Sequence, residues 1–239
     1  MPEDYFAGEV AARYDDGLGE RGDPAVIDAT VDFLAALASG GPALELGIGT
    51  GRIALPLAAR GTPVHGIDLS ADMVAQLRGK PGGEELPVTI GDFATTRLEQ
   101  QFSLVYLIFN TINNLTTQEA QVACFENVSA QLAPRGCFVV EVGVPRAGPL
   151  RVFALSETHA GIDEYDAATQ RLVSHHFSLV DGSWVRLSIP FRSVSPAELD
   201  LMARLAGLRL RERWSGWKRE PFTSESRKHV SVWEQSGGR

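Results

Sequence analysis

Three observations predict an α/β chain built on a doubly wound, mostly parallel sheet. Short apolar segments alternate with capped helical ones between residues 43 and 142, a glycine-rich bend follows the first such segment, and a carboxylate ends the second. Two helices, Val10 to Tyr14 and Asp23 to Ala38, are expected before the sheet; Asp23 caps the longer one, with Pro24 at its first helical position. A strand at Ala43 to Leu46 then runs into Gly47-Ile48-Gly49-Thr50-Gly51, where the missing side chains leave backbone open to a ligand. Helix Arg52 to Arg60 and a strand from Thr62 to Asp68 come next, after which Ser70 caps a helix carrying Met73 on its first turn. A third strand, Leu86 to Ile90, leads into Gly91-Asp92-Phe93. The fourth, Phe102 to Phe109, is almost wholly apolar, as a central parallel strand covered on both faces should be. Its polar sequel, Asn110 to Asn114, precedes helix Thr117 to Leu132, a turn at Pro134-Arg135-Gly136 and a fifth strand, Cys137 to Val142.

Beyond Gly143 the pattern changes. Residues 171 to 191 predict a β-hairpin turning at Asp181-Gly182, with Val173, His175, Phe177 and Leu179 on one face and Val185, Leu187, Ile189 and Phe191 continuing an apolar face. An insertion after the fifth strand emerges at the carboxyl edge of the sheet, where ligands bind open α/β sheets, and is placed to serve as a wall or lid. Ser195 to Glu198 forms a capping box before helix Ala197 to Ala206, and Leu208 to Arg213 with His229 to Trp233 make two antiparallel closing strands. The chain is thus expected to be one domain over residues 1–239: N-terminal helices at 1–40, a ligand-binding core at 41–149, a β insertion at 150–193, and a closing helix and strands at 194–239.

Composition narrows the partners. With 239 residues, 44% of them hydrophobic, the chain can bury a full core. Thirty acids against 22 bases give a net charge of −8, which argues against a nucleic-acid partner, because phosphate binding needs a basic surface. Neither end reads as a targeting segment and no apolar stretch is long enough to span a bilayer, so a cytoplasmic protein without membrane contact is expected. Cys124 and Cys137 read as buried free thiols, and no Cys/His cluster suggests a metal.

The spacing of the glycine bend selects among nucleotide cofactors. A dinucleotide fingerprint would place a small residue at 52, where the helix presses on the strand, but Arg52 stands there. Asp68 ends the second strand 21 residues beyond Gly47, at a distance suited to ribose hydroxyls. Together with Ala12-Arg13-Tyr14-Asp15, Glu45 to Gly51, Gly66 to Ser70 and Gly91-Asp92, these features resemble the small-molecule branch of the class I S-adenosylmethionine-dependent methyltransferases. Glycine and aminosugar N-methyltransferases of bacterial natural-product pathways are members of that branch. The similarity runs over roughly residues 8 to 143.

That resemblance implies a seven-stranded sheet whose last strand is antiparallel, with S-adenosylmethionine across the strand ends and S-adenosylhomocysteine as product. Glu45, Gly47, Gly49 and Gly51 would surround the methionyl part, Asp68 the ribose, and Asp92 with Phe93 the adenine; Arg52, Leu69, Met73, Ile108 and Asn110 complete the expected cofactor set. Acceptors sit after the fourth strand in this family, which makes Asn110, Asn113 and Asn114 candidates for orienting the acceptor or the cofactor's amino group. The Asp/Asn-Pro-Pro-Tyr tetrad of enzymes that methylate nucleobase amines and protein amides is absent here.

A small-molecule methyl acceptor, reacting through N or O, is therefore expected, with alignment doing most of the work. Tyr14 is a candidate to close over the site, and His175 and His176 are the candidate bases for a hydroxyl acceptor. Two other readings stand beside it: a catalytically silent S-adenosylmethionine-binding partner subunit, and a nicotinamide-dependent oxidoreductase, for which the chain lacks a Tyr-x-x-x-Lys relay. A homodimer contact through the hairpin is left open.

Overall fold

A computed structural model describes residues 3–145 and 148–235. Its main sheet has seven strands: β1 (Ala43–Leu46), β2 (Val64–Asp68), β3 (Val88–Ile90), β4 (Phe102–Leu107), β5 (Leu132–Gly143), β10 (Leu208–Trp214) and β11 (Lys228–Gln235). They lie in the order β10-β11-β5-β4-β1-β2-β3. Strands β1 to β5 pair in parallel, while β11 runs antiparallel to both β5 and β10. The order reverses between β1 and β4, so a crevice opens beyond their carboxyl ends.

Helices cover both faces: α1 (Glu9–Ala12), α2 (Pro24–Ala38), α3 (Ala54–Ala59), α4 (Ala71–Arg78), α5 (Gln118–Gln131) and α6 (Pro196–Leu205). Capping fixes where four of them start. Asp23, Ser70, Thr117 and Ser195 each accept a backbone N–H from the first turn that follows. The almost wholly apolar run of β4, interrupted by Ser103 alone, is explained by its two-sided burial. Val105 and Leu107 join a core with Phe125, Phe138 and Trp233, whereas Leu104 and Tyr106 join a second core with Leu34, Leu57 and Val139 on the other face.

The N-terminal region departs from expectation. The first helix is a single turn, followed by 3-10 turns at Asp15–Gly17 and Gly19–Gly22. Helix α3 starts two residues later than the periodicity suggests, because the glycine bend continues through Gly51, at φ 77°. Strand β5 starts ahead of its predicted turn: Leu132 already pairs with Phe102, and Arg135 takes a φ of 67° within the strand.

The insertion is a second, four-stranded antiparallel sheet rather than a lone hairpin. It comprises β6 (Leu150–Leu155), β7 (His159–Asp166), β8 (Arg171–Val180) and β9 (Ser183–Arg192). Asp181 and Gly182 form the predicted β8–β9 turn, both at positive φ. That two-residue turn pairs Val180 with Ser183, so odd-numbered residues face even-numbered ones across the ladder. Val185, Leu187 and Ile189 therefore share a face with Ser178, His176 and Ser174, opposite to the Phe177 and Leu179 face. Among the described residues no helix is long and apolar enough to cross a membrane.

Candidate functional site

A cavity of about 680 Å³ opens at the carboxyl ends of β1, β2 and β3. Its floor is the bend after β1. Gly47 and Gly49 sit at φ 68° and 55°, a left-handed conformation that side chains rarely adopt. A Cβ on Gly47 would stand 2.5 Å from Thr111 Cγ2, so the bend and the segment after β4 pack to a separation that admits no side chain. Gly51, also left-handed, faces Leu55 and Leu77 instead of the cavity.

Asp68 organises the bend. Its Oδ2 accepts the Gly49 N–H at 2.6 Å and its Oδ1 the Ser70 N–H at 2.9 Å, so one carboxylate fixes both the glycine floor and the start of α4. Burial raises its pKa above the ordinary range, and the N–H groups of Ser70 and Gly49 oppose that shift. Each oxygen keeps a second lone pair for a ligand hydroxyl. Asp92 accepts the Ala94 N–H at 2.9 Å and lines the cavity beside Phe93, while Leu69 and Met73 line it after β2.

Glu45 lies below the floor, not in the lining. Its carboxylate accepts the Tyr106 hydroxyl at 3.0 Å and is pushed up to about 8, chiefly by burial, with Tyr106 and Arg52 pulling the other way. A folded-state value above the unfolded one means that the native chain holds a proton the unfolded chain has lost. From this group, stability is greatest below about 4.5 and declines as pH rises toward about 8. Glu45→Gln is expected to flatten that decline, which has a limiting slope on the order of 1 kcal/mol per pH unit. Urea midpoints of both proteins at several pH values measure it; parallel profiles would refute the assignment.

Other expected site residues hold the walls. Arg52 donates to the Arg21 carbonyl at 3.0 Å, tying the segment between the glycine bend and α3 to the N-terminal turns. Ile108 is buried in the second core. Asn110 adopts φ 61°, ψ 7°, and its Oδ1 accepts the Gly143 N–H at 2.7 Å, which commits the side chain to the backbone of β5. Asn114 lines the cavity, whereas Asn113 does not. His175 and His176 also lie outside the lining. His175 contacts Ser188 at 2.8 Å, and His176 stacks against His159 with ring nitrogens 3.3 Å apart.

Tyr14 does line the cavity, edge-on to Phe6 with ring centroids 6.2 Å apart. The cover it belongs to is larger than the sequence suggested. Glu3 to Phe6 also line the cavity, and the cover is anchored by the Gly8 N–H to Asp72 at 2.7 Å and by the Asp15–Lys80 ion pair at 2.5 Å. The far wall comes from Thr111, Leu115, Thr116 and Ala120 before and in α5, and from Thr169, Arg171, Pro190 and Phe191 of the insertion. Only Phe191 among these insertion residues belonged to the predicted apolar pattern; the others are brought in by tertiary packing that no local spacing announces.

The residues suit an adenosyl cofactor. A bare glycine floor, a carboxylate at the end of β2 and a carboxylate beside an aromatic ring after β3 match the acceptor needs of ribose hydroxyls and an adenine amine. Comparison with known proteins agrees. The family described as "Methyltransferase domain" matches residues 43–136. A cypemycin N-terminal methyltransferase from Streptomyces sp is 28% identical over 209 residues, covering 80% of this chain and 82% of the relative. A dTDP-3-amino-3,6-dideoxy-alpha-D-glucopyranose N,N-dimethyltransferase from Streptomyces fradiae is 30% identical over 200 residues, covering 82% and 74%. The structure of the CcbJ methyltransferase from Streptomyces caelestis superposes with a TM-score of 0.90 at 36% identity, over 99% of this chain and all of that one. With its seven-stranded order, its glycine-floored cavity and relatives of this kind, the chain belongs to the S-adenosylmethionine-dependent methyltransferases.

Proposed function

We propose that the enzyme methylates an amine nitrogen of a small bacterial natural product, such as an amino sugar or the free amine of a peptide. The observation that carries this reading is that His175 and His176, the bases expected for a hydroxyl acceptor, lie outside the cavity lining, and that of the carboxylates that do line it, Asp68 and Asp92 are assigned to the cofactor. A neutral amine attacks without a base, whereas a hydroxyl acceptor gains from one near the oxygen. The N-methyltransferase names of the relatives support the same choice.

Bound S-adenosylmethionine supplies an activated methyl group on a cationic sulfur, so the chain's tasks are alignment and exclusion of water. In our reading Gly47 and Gly49 present main chain to the methionyl end, Asp68 accepts from the ribose, and Asp92 with Phe93 holds the adenine. Leu69 and Met73 cover the apolar surface. Tyr14 and residues 3–6 close the cavity over the reacting atoms, and Thr111 and Asn114 face the acceptor. Glu45, Arg52, Ile108, Gly51 and Asn110 support these groups from behind. Residues 1–239 then form one methyltransferase domain in which residues 150–193 serve as the acceptor wall.

A panel of amino-sugar nucleotides, peptides with free amino termini and their hydroxyl analogues tests the reading through release of S-adenosylhomocysteine. Amines are expected to outrun matched hydroxyls by on the order of 100-fold or more, the usual worth of a missing general base. Equal rates for hydroxyl analogues, or no turnover with any amine, would reject it.

A further inference from the structure

The turn that follows β4 is held in a conformation its own residues disfavour. Phe109 and Asn110 are consecutive non-glycine residues at φ 48° and 61°. For a bulky side chain such as phenylalanine the left-handed region is an outlier that persists only where the surroundings impose it. Here the surroundings are three hydrogen bonds from β5. The Glu141 carboxylate accepts the Phe109 N–H at 3.1 Å, the Glu141 carbonyl accepts the Asn110 N–H at 3.0 Å, and the Gly143 N–H meets Asn110 Oδ1 at 2.7 Å.

Glu141 is itself fixed. Its side chain is only 7% exposed, and its other oxygen accepts from Lys228 Nζ at 3.0 Å across the β5–β11 ladder. What the turn positions is close to the site. It aims the exposed Phe109 ring at the Arg21 guanidinium, 4.1 Å from the ring centroid, and it delivers Thr111 to the cavity wall against the Gly47 floor.

Resting on the methyl-transfer reading above, we propose that Glu141, backed by Lys228, is a positioning residue for the reaction. Its carboxylate locks the Phe109–Asn110 turn left-handed and thereby sets the place of Thr111, which lines the cavity against the Gly47 floor. Glu141 touches neither cofactor nor acceptor. Its role is felt in the geometry of the reacting pair, to which rate is steeply sensitive, and not in cofactor affinity, which rests on the β1, β2 and β3 loops.

Three variants test it with the amine acceptor that the wild type methylates fastest. Glu141→Asp withdraws the acceptor oxygen by one methylene. It is expected to lower kcat by on the order of 10 to 100-fold, to leave the Kd for S-adenosylhomocysteine within about threefold, and to speed hydrogen exchange at the Phe109 amide. Glu141→Gln keeps an oxygen for the Phe109 N–H and should restore most of the lost rate. Lys228→Met, at a half-exposed side chain, should lower kcat about three- to tenfold at unchanged cofactor affinity, and it stands as the test if Glu141→Asp does not fold. Wild-type kcat in Glu141→Asp, or in Lys228→Met where the first is unfolded, overturns the proposal. So does a loss of kcat matched by an equal loss of S-adenosylhomocysteine affinity, the mark of a general structural defect. A wild type idle on every amine counts against the methyl-transfer reading instead, so the two failures are distinguishable.

Discussion

Asp68→Ala is expected to weaken S-adenosylhomocysteine binding by about 3 kcal/mol, more than 100-fold in Kd, while leaving the chain folded. The size follows from two losses at once. The variant removes the acceptor we assign to the ribose and also releases the Gly49 and Ser70 N–H groups, which are held at 2.6 and 2.9 Å. Without that anchor the glycine floor is free to leave the left-handed geometry that keeps it open. Asp68→Asn retains an oxygen for one of the two N–H groups and should lose less. Because burial raises the Asp68 pKa, a proton returns to this carboxylate at a higher pH than for an exposed aspartate. Affinity should therefore fall as pH falls toward the carboxylate range, and this dependence should vanish in the alanine variant. Calorimetric titration at several pH values reads both effects, and unchanged binding in Asp68→Ala would remove the ribose assignment.

Arg192→Met is expected to cost about 3–5 kcal/mol of stability, because it strands a partly buried carboxylate and two glutamine oxygens. The Arg192 guanidinium, on a side chain 6% exposed, donates to Gln121 at 2.5 Å and to Gln170 and Glu198 at 2.6 Å. Burial would raise the Glu198 pKa, but hydrogen bonds from Gln170, Arg192 and Gln118 outweigh it and hold the group below its usual value. This network joins the end of β9 to α5 and α6, and so fixes the insertion against the main sheet. Pro190 and Phe191, the two preceding residues, line the cavity. The variant should consequently raise the acceptor KM as well as lower the urea midpoint. The double variant Arg192→Met/Glu198→Met, which removes both charges, should recover much of the stability. A single variant as stable as the wild type would show that the network does not anchor the wall.

What could be seen in the sequence, and what could not, divides along a physical line. Strand β4 is legible because two-sided burial demands an almost wholly apolar run, β1 and β2 because short apolar stretches end at the glycine bend and at Asp68, and the bend after β1 because its left-handed positions demand glycine. The caps at Asp23, Ser70 and Ser195 are local and equally readable. Strands β6 and β7 are not: β6 is exposed along nearly its whole length, so neither face imposes an alternation. The cover formed by residues 3–6 depends on contacts with residues more than 60 positions away, such as Gly8 with Asp72. Within the site, residue type announced chemistry but not direction. Glu45 carries the motif's acid yet points to Tyr106, and Asn110 stands in the expected polar loop yet spends its oxygen on Gly143. Glu141 gave no signal at all, because a carboxylate inside an apolar strand acquires meaning only once Phe109 and Lys228 are placed around it.

Calorimetric titration of the wild-type protein against S-adenosylhomocysteine and, separately, against a nicotinamide dinucleotide decides whether the glycine-floored cavity takes an adenosyl sulfur compound. One equivalent of the homocysteine nucleoside should bind, with no measurable heat from the dinucleotide. Heat from the dinucleotide alone, or from neither compound, would contradict it.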